Sequence, residues 1–82
     1  MSYQADAKKK HFTRGYTTDP KTLTLVLCEE AGEVAKAVNF YHNPEYKPFP
    51  GKPPPDDLEH ELKDLLIAIS MLAMVFDIDL GI

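Results

Sequence analysis

Glu61-Leu62-Lys63-Asp64-Leu65-Leu66-Ile67-Ala68-Ile69-Ser70-Met71-Leu72-Ala73-Met74-Val75-Phe76 is the stretch whose reading decides the fold. No β-type alternation runs through it. Just upstream, Asp56 is followed three residues later by Glu59, the spacing of a capping box, which predicts a helix continuing from Asp57 to about Phe76. At 100° per residue, Glu61 and Asp64 head a stripe that runs on through Leu65, Ala68, Met71, Leu72 and Val75. The polar side holds only Glu59, His60, Lys63 and Ser70, so from Leu65 to Phe76 the helix is apolar almost all round and must be buried on several sides. One neighbouring helix cannot provide that cover, so the expectation is a four-helix core completed with a second chain.

Working outward, residues 42–57 carry six of the chain's seven prolines and read as a stiff, non-helical loop. Before it, Asp19-Pro20 is an N-cap followed by proline at the first helical position, where the missing N–H costs nothing. The helix it opens places Leu23, Val26, Leu27, Val34, Ala37, Val38 and Tyr41 on one arc and stops at Asn43-Pro44. Residues 1–18 are polar, with Lys8-Lys9-Lys10, and suit an arm or a short helix. The expected fold class is therefore all-α: a single domain over residues 1–82, a helical hairpin that completes a four-helix bundle core by oligomerisation.

Composition narrows the function. The chain has 82 residues, nine Lys+Arg against thirteen Asp+Glu, a net charge of -4 and 44% hydrophobic residues. These values describe one small folded domain and no disordered or fibrous design. Its acidic balance argues against a nucleic-acid polymer or an anionic membrane as partner. No apolar run approaches the ~20 residues of a membrane span, and a single cysteine, Cys28, forms no internal disulfide. The expected location is cytoplasmic. Without disulfides, a core of this size supplies only ~3–5 kcal/mol, a second reason to expect self-association.

Acidic residues on apolar faces are the anomaly. Glu30 falls inside the arc of the first long helix and Glu33 at its margin, whereas Glu29, Lys36 and Asn39 point to solvent. Glu61 and Asp64 repeat the pattern on the second helix. Carboxylates aimed inward are costly unless paired or metal-bound, and few internal cations are on offer. Residues three apart project to one face, so Glu30/Glu33 and Glu61/Asp64 can converge on one divalent ion. All-oxygen ligation suits Mg²⁺, with Mn²⁺ the alternative. The plainer reading, acids attracted to helix N-termini, is fair for Glu61 and fails for Glu30 and Glu33, about ten residues into theirs.

Leu27-Cys28-Glu29-Glu30-Ala31-Gly32-Glu33-Val34 followed by Glu61-Leu62-Lys63-Asp64-Leu65-Leu66 resembles the paired Glu-Glu-x-x-Glu and Glu-x-x-Asp signature of MazG-like nucleotide pyrophosphohydrolases, over about residues 19–80. That resemblance implies an all-α homodimer or homotetramer that uses Mg²⁺ to hydrolyse a nucleoside triphosphate to the monophosphate and pyrophosphate, in house-cleaning or nucleotide-pool control. It implies Glu30, Glu33, Glu61 and Asp64 as catalytic metal ligands, with Glu29 secondary. Relatives generally carry a further helix with basic and amide residues that contact phosphates; this sequence reaches Ile82 where that helix would begin. Many also have a more ordinary connection where this chain has its proline-rich loop, here read as a lid or an oligomer contact.

Lys8, Lys9, Lys10 and Arg14 are candidates to reach phosphates, against the plainer reading of a solvated terminus. Phe12, Tyr16, Tyr41, Tyr46 and Phe49 are candidates to stack on a base, with Phe12 and Tyr16 favoured because they precede the acidic helix. Among the candidate substrate-binding residues are thus Lys10, Arg14, Tyr16 and Glu29. His42 and His60 read as surface residues near helix ends, and Cys28 as a small buried hydrophobe. Two other functions compete. Phosphoribosyl-ATP pyrophosphohydrolase shares the acidic architecture but is disfavoured, since Asp64-Leu65-Leu66-Ile67-Ala68-Ile69 lacks that group's Tyr-His. The other is a non-catalytic metal- or nucleotide-binding helical oligomer.

Overall fold

The computed structural model describes residues 3–13 and 18–82. Among them there are three helices and no strand: α1 (Tyr3–Thr13), α2 (Pro20–His42) and α3 (Leu58–Val75). Residues 1–18, read as arm or short helix, thus include a helix.

α2 starts as its sequence dictates. Asp19 is extended and caps it, its side chain accepting from the Lys21 N–H at 3.4 Å and from the Thr22 hydroxyl at 2.9 Å, and Pro20 opens the first turn. Asn43 closes it, leaving α-space with its N–H still donating to the Asn39 carbonyl. The start of α3 corrects the capping-box reading by one residue: the cap is Asp57, whose carboxylate accepts from the His60 N–H at 2.8 Å. Asp56 instead lies 3.4 Å from His60 Nε2. At its far end, α3 closes through Asp77 at φ 59°, a left-handed position an aspartate tolerates, with the Ile78 N–H returning to the Ala73 carbonyl.

α2 and α3 pack antiparallel. Tyr41 donates to the Pro55 carbonyl, Glu30 lies beside Glu61 and Asp64, and Leu23 shares a core with Met71, so position falls along α2 as it rises along α3. That core lies at the end of the pair away from the proline loop. Ala7, Leu23 and Met71 are buried in it, with Ile67, Leu72, Met74 and Val75 packed around them. Ala7 belongs to α1, which packs on α3, so a third helix supplies part of the cover expected from a second chain. Buried Gln4 fastens the segment after α3: its amide donates to the Ile78 carbonyl at 2.7 Å and accepts from the Leu80 N–H at 2.8 Å.

Four burial expectations are corrected. Ser70, read on the polar side, is fully buried because its hydroxyl satisfies itself on the Leu66 carbonyl at 2.8 Å. Cys28, read as buried, is exposed, since it faces away from α3 on the same side of α2 as the exposed Leu25, Ala31 and Ala35. Val38 and Tyr41, placed on the inward arc, are exposed too.

Candidate functional site

The midpoint of the α2–α3 pair is acidic. Glu30 and Glu33 lie one turn apart on α2, while Glu61 and Asp64 lie one turn apart at the start of α3. One carboxylate oxygen from each of Glu30, Glu61 and Asp64 falls within 4.8 Å of the other two. Glu61 is only 5% exposed, and Glu30 and Asp64 are half-buried. The structure therefore brings together three of the four expected ligands. Glu33, also half-buried, stands outside that trio, 3.5 Å from the Lys36 ammonium. Glu29 is exposed on the solvent side, as its helical position predicts.

The electrostatics are those of a site short of positive charge. Burial lifts the Glu30 carboxyl above its ordinary value, and the charges of Asp64, Glu61, Glu33 and Glu29 push it further. Burial also lifts Glu61, helped by Glu33, Asp56 and Asp64 and opposed by His60. No ion pair reaches the Glu30 or Glu61 carboxylate among the described residues. His60 Nε2 sits 3.2 Å from Asp64 and 3.4 Å from Asp56. That histidine is exposed, as read from sequence, but its hold on Asp64 was missed; the four-residue spacing of His60 and Asp64 on α3 is the signal that carried it, with Asp56, just ahead of the cap, as the second neighbour.

Three hard oxygens fit a divalent cation. At Mg–O distances of ~2.0–2.1 Å, opposite corners of an octahedron are about 4.2 Å apart, so a trio spread over 4.8 Å needs only a small rotation of side chains to close. A cation would also relieve the charge that raises Glu30 and Glu61.

The MazG nucleotide pyrophosphohydrolase domain matches residues 18–82, which contain α2, the proline loop, α3 and all four acids. The chain belongs to the MazG family. Membership implies nucleotide pyrophosphohydrolase activity in general, and this MazG domain carries its acids where two facing helices bring them together. No match was found among curated proteins or among solved structures.

Of the candidate substrate contacts, Arg14, Tyr16 and the side chains of Lys8, Lys10 and Phe12 lie outside the described residues. Tyr41 is taken up by its hydrogen bond to Pro55. Tyr46 and Phe49 line a cleft of about 500 Å³ between α2 and the proline loop, bordered also by Glu33, Lys36, Phe40 and Lys52. Neither Phe40 nor Lys52 was singled out from sequence. Phe40 was legible, two helical turns beyond Glu33; nothing in the sequence marked Lys52.

Proposed function

We propose that this MazG domain hydrolyses nucleoside triphosphates to the monophosphate and pyrophosphate with Mg²⁺. The observation that carries the reading is the convergence of Glu30, Glu61 and Asp64 from two helices on one point. These three would hold the ion, and Glu33 would join them by exchanging its contact with Lys36. A divalent ion bound there supplies charge neutralisation for the triphosphate and a lowered pKa for water. The oxygen of a water attacks the α-phosphorus, and the bond from that phosphorus to the α–β bridging oxygen breaks. Pyrophosphate leaves with the bonding electrons, and a carboxylate of the cluster takes up the water's proton.

The reading extends to a homodimer or homotetramer. Leu62 and Ile69 on α3, 48% and 37% exposed, and Leu25 on α2, 67% exposed, leave apolar surface that a second copy would cover. Among the described residues no helix is long and apolar enough to cross a membrane.

The test is incubation with the common NTPs and dNTPs plus Mg²⁺, with products resolved by anion exchange. Monophosphate and pyrophosphate in equal amounts are expected. Glu30→Gln and Asp64→Asn should each lower turnover by roughly 10²–10³-fold with the helical signal intact. A folded, metal-loaded sample that cleaves no triphosphate rejects the reading.

A further inference from the structure

The connection between α2 and α3 is fifteen residues with no secondary structure of its own, a length at which a loop in a small domain usually has a task. This one is held in shape. Asn43 closes its first turn, its carbonyl accepting from the Tyr46 N–H and its side chain from the Glu45 N–H, both at 3.1 Å. Gly51 turns it at φ 81°, a conformation open to glycine, and the Tyr41 hydroxyl pins its far end at Pro55. With six prolines fixing φ, little entropy is left to lose on binding.

The loop stands over the last turns of α2 and encloses the cleft of about 500 Å³, within the range of small-molecule sites. Two features of the lining are unexplained by folding. First, of the two lysines that line the cleft, Lys36 pairs with Glu33, whereas Lys52, like Lys21 and Lys47 elsewhere, has no carboxylate within ion-pair distance among the described residues. Its ammonium lies instead 5.9 Å from the centre of the Phe49 ring, and both residues line the cleft. Second, Phe49 is 78% exposed and packs no core, and Tyr46 and Phe40 border the same space. A chain of net charge -4 thus keeps an ammonium without a carboxylate partner and one largely exposed ring, Phe49, in a cleft that Glu33 also lines.

We propose that this cleft is a nucleoside-phosphate subsite built by the proline loop, with Lys52 contacting a phosphate and Phe49, with Tyr46, offering a face to the base. A ligand that is anionic at one end and flat and aromatic at the other matches both features, since rings stack on any base and an ammonium holds phosphate oxygens as a point charge. The assignment of that ligand as the substrate's nucleotide rests on the triphosphate reading above. The loop then supplies a cationic contact of its own.

Binding of AMP, CMP, GMP and UMP, measured by calorimetry in EDTA and again with Mg²⁺, tests the subsite without turnover. Lys52→Ala is expected to weaken the best of the four by roughly tenfold, as is Phe49→Ala. Lys47→Ala, a loop lysine outside the cleft, is the control and is expected to change nothing. Adenosine should respond to Phe49→Ala alone, and ribose 5-phosphate to Lys52→Ala alone. Both cleft residues are exposed, so circular dichroism should show the helices unchanged. No binding of any monophosphate, or equal effects from Lys47 and Lys52, overturns the proposal. Lys52-dependent binding in a chain that cleaves no triphosphate supports the subsite and rejects the catalytic reading. Turnover with KM unchanged in both Lys52→Ala and Phe49→Ala does the reverse.

Discussion

The two halves of the α2–α3 pair are built on opposite principles. Toward α1, Leu23, Met71 and Ala7 meet in a dry cluster with Ile67, Leu72 and Val75 around it. Toward the proline loop the same two helices set Glu30, Glu61 and Asp64 within 4.8 Å of one another. Burial stabilises the first half and destabilises the second, because desolvation of apolar side chains is favourable while desolvation of carboxylates lifts their pKa. The apolar half therefore supplies the stability, and the acidic half spends some of it to hold charge where a cation can use it.

The comparison is sharpened most by cutting into the apolar half. Leu23→Ala removes the most buried large side chain of α2 and should cost about 2–5 kcal/mol. Against the ~3–5 kcal/mol that a core of this size provides, such a loss leaves little of the chain folded at room temperature. Urea unfolding would show it, and a loss under about 1 kcal/mol would mean that the core lies elsewhere.

Smaller is the effect at the junction of the two halves. Asp57→Ala removes the cap of α3 just ahead of Glu61 and should lower stability by ~1 kcal/mol, a fall in midpoint temperature of roughly 4–8 °C. Asp56→Ala, at the position the capping-box pattern favoured, should leave the helix start intact.

The smallest effect has the opposite sign. In the metal-free chain Glu30 and Glu61 have folded-state pKa values above the ordinary 4.5, so the folded state keeps protons that the unfolded state has released. Their contribution to stability is thus greatest at low pH and declines as pH rises from about 4.5 through the raised values. Glu30→Gln should stabilise the metal-free chain at pH 7.5 by about 0.5–1 kcal/mol, the size of a partly solvated charge repulsion, and flatten that decline. Thermal melts at several pH values in EDTA measure both; a destabilised variant would mean that Glu30 has a favourable partner.

Both halves were legible in the sequence to different depths. Asp19-Pro20, the proline loop and the apolar run from Leu65 to Phe76 specify the two long helices, because caps, prolines and periodicity act locally. Glu30, Glu61 and Asp64 were legible for the same reason: charge on an apolar arc is visible without tertiary information. The cover from α1 was not: among the side chains of that polar helix that are described, the buried ones are Ala7 and Gln4, and one small residue and one amide make no apolar stripe to read. Ser70 escaped because a hydroxyl that bonds its own helix can be buried like an alanine. Cys28 misled because a small residue beside apolar neighbours suits an outer face as well as an inner one. Glu33 sat at the margin of the arc, and the structure leaves it there, on Lys36 and outside the trio.

The central claim, that the acidic half holds a divalent cation, is tested most directly by titrating Mn²⁺ into the metal-free chain and reading free Mn²⁺ by electron paramagnetic resonance. The account predicts saturable uptake by the unaltered chain and its loss in Glu61→Gln, with the variant still helical. Uptake by Glu61→Gln equal to that of the unaltered chain would contradict it.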